Sequence, residues 1–197
     1  AIIIGNSAYE AGNINGALLG LKGIFGSDLN ELLALLVLVI GIVIMLWIQR
    51  LKWIKILLMA LVFLMSLSFI VAVVSLKPSL TELVSGTFAF EVPQGSWSTI
   101  LALIGTTVVP YNLFLHSSLV EMEQLSAQDI KKIRLDTLLS IGLGGLISIC
   151  ILITSRYITG VTEVTNATDM SFALQQVFGS YALIIISIGL FAAGLSS

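Results

Sequence analysis

Apolar positions along this chain come in long unbroken runs, not in the spaced stripes of a soluble helical protein. Crossing the hydrocarbon core of a bilayer takes about 20 apolar residues. The runs 29–48, 56–76, 98–120, 137–158 and 180–197 meet that length or come close, the last stopping early. The stretch 1–25 is also apolar but carries Glu10 and Lys22, which marks a specialised helix. The pattern predicts an all-α, polytopic transmembrane protein: one membrane domain over 1–197, with spans near 1–25, 29–48, 56–76, 98–120, 137–158 and 180–197.

Basic residues orient these spans, because Lys and Arg accumulate on the cytoplasmic side. Arg50, Lys52 and Lys55 lie between the second and third spans, and Lys131, Lys132 and Arg134 between the fourth and fifth. Loops 77–97 and 159–179 hold Lys77 at one span edge and carry Glu82, Glu91, Glu163 and Asp169. The two basic loops are therefore assigned to the cytoplasm and the acidic ones to the opposite side. Ser126-x-x-Asp129 ahead of Ile130 is a capping-box signal, read as the start of a short surface helix or as a solvated loop.

Composition agrees: 57% of residues are apolar and 10% charged, where a soluble domain carries roughly 25% charged. Mean hydropathy is +1.08. A net charge of -2 and the lack of a broad basic patch exclude a nucleic-acid partner. The single Cys150 sits in an apolar run and offers neither a disulfide framework nor a thiolate metal site. The chain opens on Ala1 without Met and closes at Ser197 inside an apolar run. It is expected to be an internal piece whose function needs further helices of the same protein.

The candidate chemistry lies in 98–120, whose centre reads Gly105-Thr-Thr-Val-Val-Pro-Tyr-Asn-Leu-Phe-Leu-His116. Pro110 lacks an N–H, so the carbonyl of Thr106, four residues back, loses its helical donor. Thr106–Val109 are all β-branched and form helix weakly. An unpaired carbonyl in hydrocarbon costs several kcal/mol, on the order of 2–7, unless protein, water or an ion satisfies it. Unwound carbonyls near the midplane are how transporters hold cations. An ordinary proline kink repaired by nearby Thr hydroxyls fits the same residues. His116, six positions on, is a pathway candidate as an ionisable group in the membrane, or a neutral His donating to a carbonyl.

In 1–25, Asn6, Glu10 and Asn13 fall at i, i+4 and i+7 and share one helix face. Glu10 is costly in lipid and calls for a wet cavity or a partner; a pathway role and interhelical hydrogen bonding both fit. Gly12, Gly16 and Gly20 form a G-x-x-x-G-x-x-x-G stripe suited to close helix contact. Gly142, Gly144, Gly145 and Ser148 read as packing residues of the later span.

The run Gly105 to Ser117 resembles the sixth helix of natural-resistance-associated macrophage protein (Nramp) transporters, whose pattern is close to G-A-T-x-M-P-H-N-L-Y-L-H-S. Pro110, Asn112, Leu113 and Leu115-His116-Ser117 fall in register. Ala192-Ala-Gly-x-Ser-Ser197 resembles the family's A-A-G-x-S-S helix, and the resemblance extends over the fragment as helices three to eight. It implies a leucine-transporter-like fold of two inverted repeats, with metal bound between two broken helices. The first of these, with an Asp-Pro-Gly-Asn-like segment, is expected outside this chain. Carried over, the metal residues are Thr106, through its carbonyl, and Val109, where the family has a thioether Met. Thr107, Tyr111, Asn112, His116, Asn6 and Glu10 become the ion pathway.

The departures set the expected specificity. Val109 removes the soft sulfur, Tyr111 replaces a His, and two acidic positions fall on Asn6 and Tyr9 with Glu10 one residue off. Oxygen ligands suit Mg²⁺ and Mn²⁺ better than late transition metals, and Mg²⁺ usually keeps several waters. The resemblance is thus closest to the magnesium/manganese branch. It implies uptake without proton coupling, through a multi-pass protein of the plasma (inner) membrane. A proton-coupled Mn²⁺/Fe²⁺ carrier of the ordinary type and a cation channel are the rival functions. No nucleophile–base pair or phosphate loop in the sequence supports an enzyme, and no cofactor is implied.

Overall fold

A computed structural model describes residues 2–26, 28–47, 52–88, 92, 94–107, 117–118, 130–156 and 167–196. Among these residues there is helix and no strand. The helices are α1 (Ile2–Phe25), α2 (Glu31–Trp47), α3 (Lys52–Leu76), α4 (Leu80–Phe88), α5 (Trp97–Thr107), α6 (Ile130–Ser155), α7 (Ser171–Phe178) and α8 (Tyr181–Ser196), with a 3₁₀ turn over Ala167–Met170. The chain divides into two compact units. One comprises 1–9 and 79–146, the other 10–78 and 147–197.

The turn between α1 and α2 shows how sequence sets the helix ends. Gly26 takes a positive φ of 92°, open to a residue without Cβ, and its N–H donates to the Lys22 carbonyl at 2.8 Å. Asn30 then caps α2, its side-chain oxygen accepting the N–H of Leu33 at 3.2 Å. Lys22 and Glu31 form an exposed ion pair across the turn, a contribution of about 0–1 kcal/mol. Farther along, α3 stops where Pro78 removes the next backbone donor.

Two loops hold helix that the hydropathy pattern had not marked. Helix α4 lies in the expected loop 77–97, and the 3₁₀ turn and α7 lie in the expected loop 159–179. Helix α7 is amphipathic and too short to span: Ala173 and Leu174 are fully buried against α3 and α8. The capping-box reading also changes. Residues from Ile130 onward form the first turns of α6, continuous with the span, and not a separate surface helix. The caps themselves, 126–129, lie outside the described residues.

The second unit has two apolar clusters. Phe69, Ala72, Cys150, Leu174, Ala182 and Ile186 make one. Ala17, Leu18, Ala34 and Leu38 make the other, with Phe191 and Leu195 packed on it. Helices α3 and α6 are long and apolar enough to cross a membrane, yet only 28% and 11% of their most apolar windows is buried. Surface this apolar left outside the protein needs a lipid solvent. Two buried hydroxyls bond within their own helices, Ser66 to the Val62 carbonyl at 2.9 Å and Thr154 to the Cys150 carbonyl at 3.0 Å.

Candidate ion site and pathway

Within the second unit, α1 and α8 meet backbone to backbone. A Cβ on Gly20 would sit 2.5 Å from the Ser187 carbonyl oxygen and 2.6 Å from the Phe191 nitrogen. A Cβ on Gly194 would overlap the Asn13 carbonyl and the backbone of Ala17, and one on Gly23 would overlap the Ser187 hydroxyl. As numbers rise on α1 they fall on α8, so the helices run antiparallel. Only glycine permits this approach, which gains many small dispersion contacts.

The contact face corrects the stripe read from sequence. Gly20 is in the crossing, but Gly12 and Gly16 face open space. The true face is Asn13, Ala17, Gly20 and Gly23, spaced by three and four. Gly142, Gly144 and Gly145 of α6 likewise have no neighbour where a Cβ would project, and all three are exposed.

The polar face of α1 enters this crossing at one end. Asn6 is half-buried, Glu10 exposed, and Asn13 half-buried. The Asn13 side-chain nitrogen is enclosed without a hydrogen-bond partner, and so is the Ser187 hydroxyl of α8. Neither residue stood out as a candidate in the sequence. Asn13 was visible as the third member of the i, i+4, i+7 set, whereas nothing marks Ser187 in an apolar run.

Thr106 and Thr107 close α5. The Thr106 side chain is exposed, and its hydroxyl donates to the Leu103 carbonyl at 2.9 Å. That bond commits the hydroxyl proton to the helix and leaves the oxygen lone pairs and the Thr106 carbonyl as acceptors. Gly105 has open space around it. Val109, Pro110, Tyr111, Asn112 and His116 lie outside the described residues, and Ser117 and Ser118 beyond them are helical and exposed. Among the described residues no three His, Cys, Asp or Glu side chains gather as a metal site. Donors available at the end of α5 are carbonyl and hydroxyl oxygens, hard ligands for a hard cation.

Comparison with known proteins gives these residues a context. The family model described as natural resistance-associated macrophage protein-like matches residues 1–197. The chain is similar to the divalent metal cation transporter MntH of Deinococcus radiodurans, 29% identical over 136 residues, covering 64% of this chain and 31% of that protein. It is similar to metal transporter Nramp3 of Oryza sativa subsp. japonica, 30% identical over 138 residues, 61% of this chain and 25% of the relative. The MntH transporter of Pectobacterium carotovorum aligns over 196 residues at 24% identity, 96% of this chain and 48% of its own length. The chain thus spans from a quarter to about half the length of these relatives. No solved structure matches it. With helix as the regular structure among the described residues and the family model matched along its whole length, this chain belongs to the natural resistance-associated macrophage protein-like (Nramp) family of helical membrane proteins.

Proposed function

We propose that the protein carries divalent metal ions across the plasma (inner) membrane as a multi-pass transporter, not as an enzyme. The ion rests at an unwound centre of the span 98–120. The observation that carries this reading is the full-length family match combined with the run Gly105 to Ser117, which sets Pro110 four residues after the Thr106 carbonyl. The Thr106 carbonyl and the position of Val109 contact the ion. Thr107, Tyr111, Asn112, His116, Asn6 and Glu10 line its path, and helices outside this segment complete the site. The single transmembrane domain and the cytoplasmic placement of loops 49–55 and 121–136 belong to the same reading.

The cargo is Mg²⁺ or Mn²⁺, moved without protons. Val109 offers no sulfur, and Asn6 and Tyr111 are not the Asp, Glu or His that a membrane proton relay uses. The second reading, a proton-coupled Mn²⁺/Fe²⁺ carrier, is favoured by one observation: Glu10 is exposed on the same helix face as Asn6, one turn away.

Pro110→Ala tests the site in the full-length protein. Alanine returns the N–H that pairs the Thr106 carbonyl, closing the break. Saturable Mn²⁺ or Mg²⁺ entry into proteoliposomes is expected to fall about tenfold, the worth of roughly 1.4 kcal/mol, while thermal stability holds or rises. Unchanged entry places the ion elsewhere, and unsaturable entry at channel rates replaces the carrier with a pore.

A further inference from the structure

Helix α4 has a side that ion transport does not use. Leu80, Val84 and Phe88 recur every fourth residue and so stand above one another on one face. They are 78%, 58% and 68% exposed, and Leu83 at the edge of that face is half-buried. At about 100° per residue, the arc from Leu83 to Phe88 is about 140° wide, as broad as the stripe a helix normally buries. Ser85 and Gly86 are exposed on the opposite side. The helix has nine residues, about 14 Å of length, and cannot cross a hydrocarbon core of about 30 Å.

Chain length sets where α4 lies relative to the bilayer. The apolar run 56–76 is about 31 Å of helix, enough to fill that core, so Leu76 reaches its boundary. Lys77 donates its N–H to the Val73 carbonyl at 3.2 Å and has a φ of 48°, the left-handed conformation in which helices stop. The Ser79 carbonyl accepts the N–H of Leu83 at 3.1 Å and opens α4. Pro78 alone separates Lys77 from Ser79, a reach of at most about 7 Å. Helix α4 therefore starts within the headgroup layer. Eight residues after its end the chain enters α5 at Trp97, which is 65% exposed, and indoles favour the same layer.

We propose that the Leu80–Val84–Phe88 face of α4 docks into the headgroup–acyl boundary of the bilayer, so that the helix lies flat in the membrane surface. The proposal rests on α3 spanning the membrane, and neither on the ion carried nor on which side is cytoplasmic. The partner is the apolar layer of the lipid and not its headgroup charge. No Lys or Arg occurs from 78 to 96, and the charged residue of α4 is Glu82. Docked in this way, α4 and Trp97 anchor both ends of the stretch that leads into α5.

The test uses the full-length protein without its native cysteines, in phosphatidylcholine vesicles, with one nitroxide label at a time on L80C, V84C, F88C, S85C or G86C. Collision of the label with oxygen, which concentrates among acyl chains, is compared with collision with a water-soluble nickel chelate. Oxygen should outweigh nickel at 80, 84 and 88, and the order should reverse at 85 and 86. The labels sit at exposed positions, so each labelled protein should melt near the unlabelled temperature. The same alternation is expected in phosphatidylglycerol at high salt, because no cation carries the contact. Nickel dominance at all five positions would put α4 in water and overturn the proposal. Low collision with both reagents at 80, 84 and 88 would overturn it too, because another part of the protein would then cover the face. An alternation confined to phosphatidylglycerol at low salt would equally overturn it.

Discussion

In the proposed site, position 109 has the most direct bearing on which cation is favoured. The family pattern places a thioether there, and this chain has Val109, a side chain of similar girth without a donor atom. Sulfur favours late transition metals over hard cations, so V109M in the full-length protein should raise Cd²⁺ affinity relative to Mg²⁺. Competition binding in detergent reads the ratio, and an unchanged ratio means position 109 does not face the ion. Ser187 is the second decisive residue. Its hydroxyl is buried without a partner against Gly23, and an unmade buried hydrogen bond costs about 1–3 kcal/mol. S187A should therefore leave the melting temperature unchanged or raise it. A clear drop would show that the hydroxyl has a partner in the whole protein, such as a water or an ion.

Helix over the long apolar runs was legible because such runs need no partner to be recognised; which face of each helix makes contact was not. Helix α1 is apolar nearly all round, so its three glycines at every fourth position looked like one interface, and only Gly20 proved to belong to it. The face used depends on where α8 lies, and that is a tertiary fact. Helices α4 and α7 were missed because eight or nine residues of mixed polarity carry too weak a period to stand out from a loop. The proposed site rests on a local backbone argument at Pro110, since the missing N–H needs no tertiary context, and Pro110 itself lies outside the described residues. The unpaired Asn13 and Ser187 of the α1–α8 seam were not legible there. The seam itself yields a paired prediction. G20V should drive a branched side chain into the Ser187 and Phe191 backbone and destabilise by about 1–3 kcal/mol or more. G16A, with open space, should stabilise by up to about 1 kcal/mol through helix propensity. Thermal unfolding of the two variants separates them, and equal effects would place the α1–α8 contact elsewhere.

The proposed topology of six alternating spans gives α1 and α8 opposite directions and puts the basic loops on one side; α1 and α8 cross antiparallel. In a cysteine-free background, Q94C, exposed before α5, should label from outside and S126C should not; equal labelling sinks the orientation. A proton-coupled carrier needs titratable stations in series through the membrane. Three stations that the family resemblance implies are occupied here by Asn6, Tyr9 and Tyr111, none of them the Asp, Glu or His of a membrane proton relay. Glu10 and His116 remain, on different helices. Glu10 is exposed and lies one turn from Asn6 along a shared face, so it is the residue through which a relay would have to pass. We expect metal entry to run down its own electrochemical gradient. Proteoliposomes holding the full-length protein, loaded with one dye for Mg²⁺ or Mn²⁺ and another for pH, should show metal entering with no acidification. E10Q should then slow entry little, because no proton step depends on it. Acidification that tracks metal entry and disappears in E10Q would mean the relay shifted one residue along α1, making the protein a proton-coupled carrier.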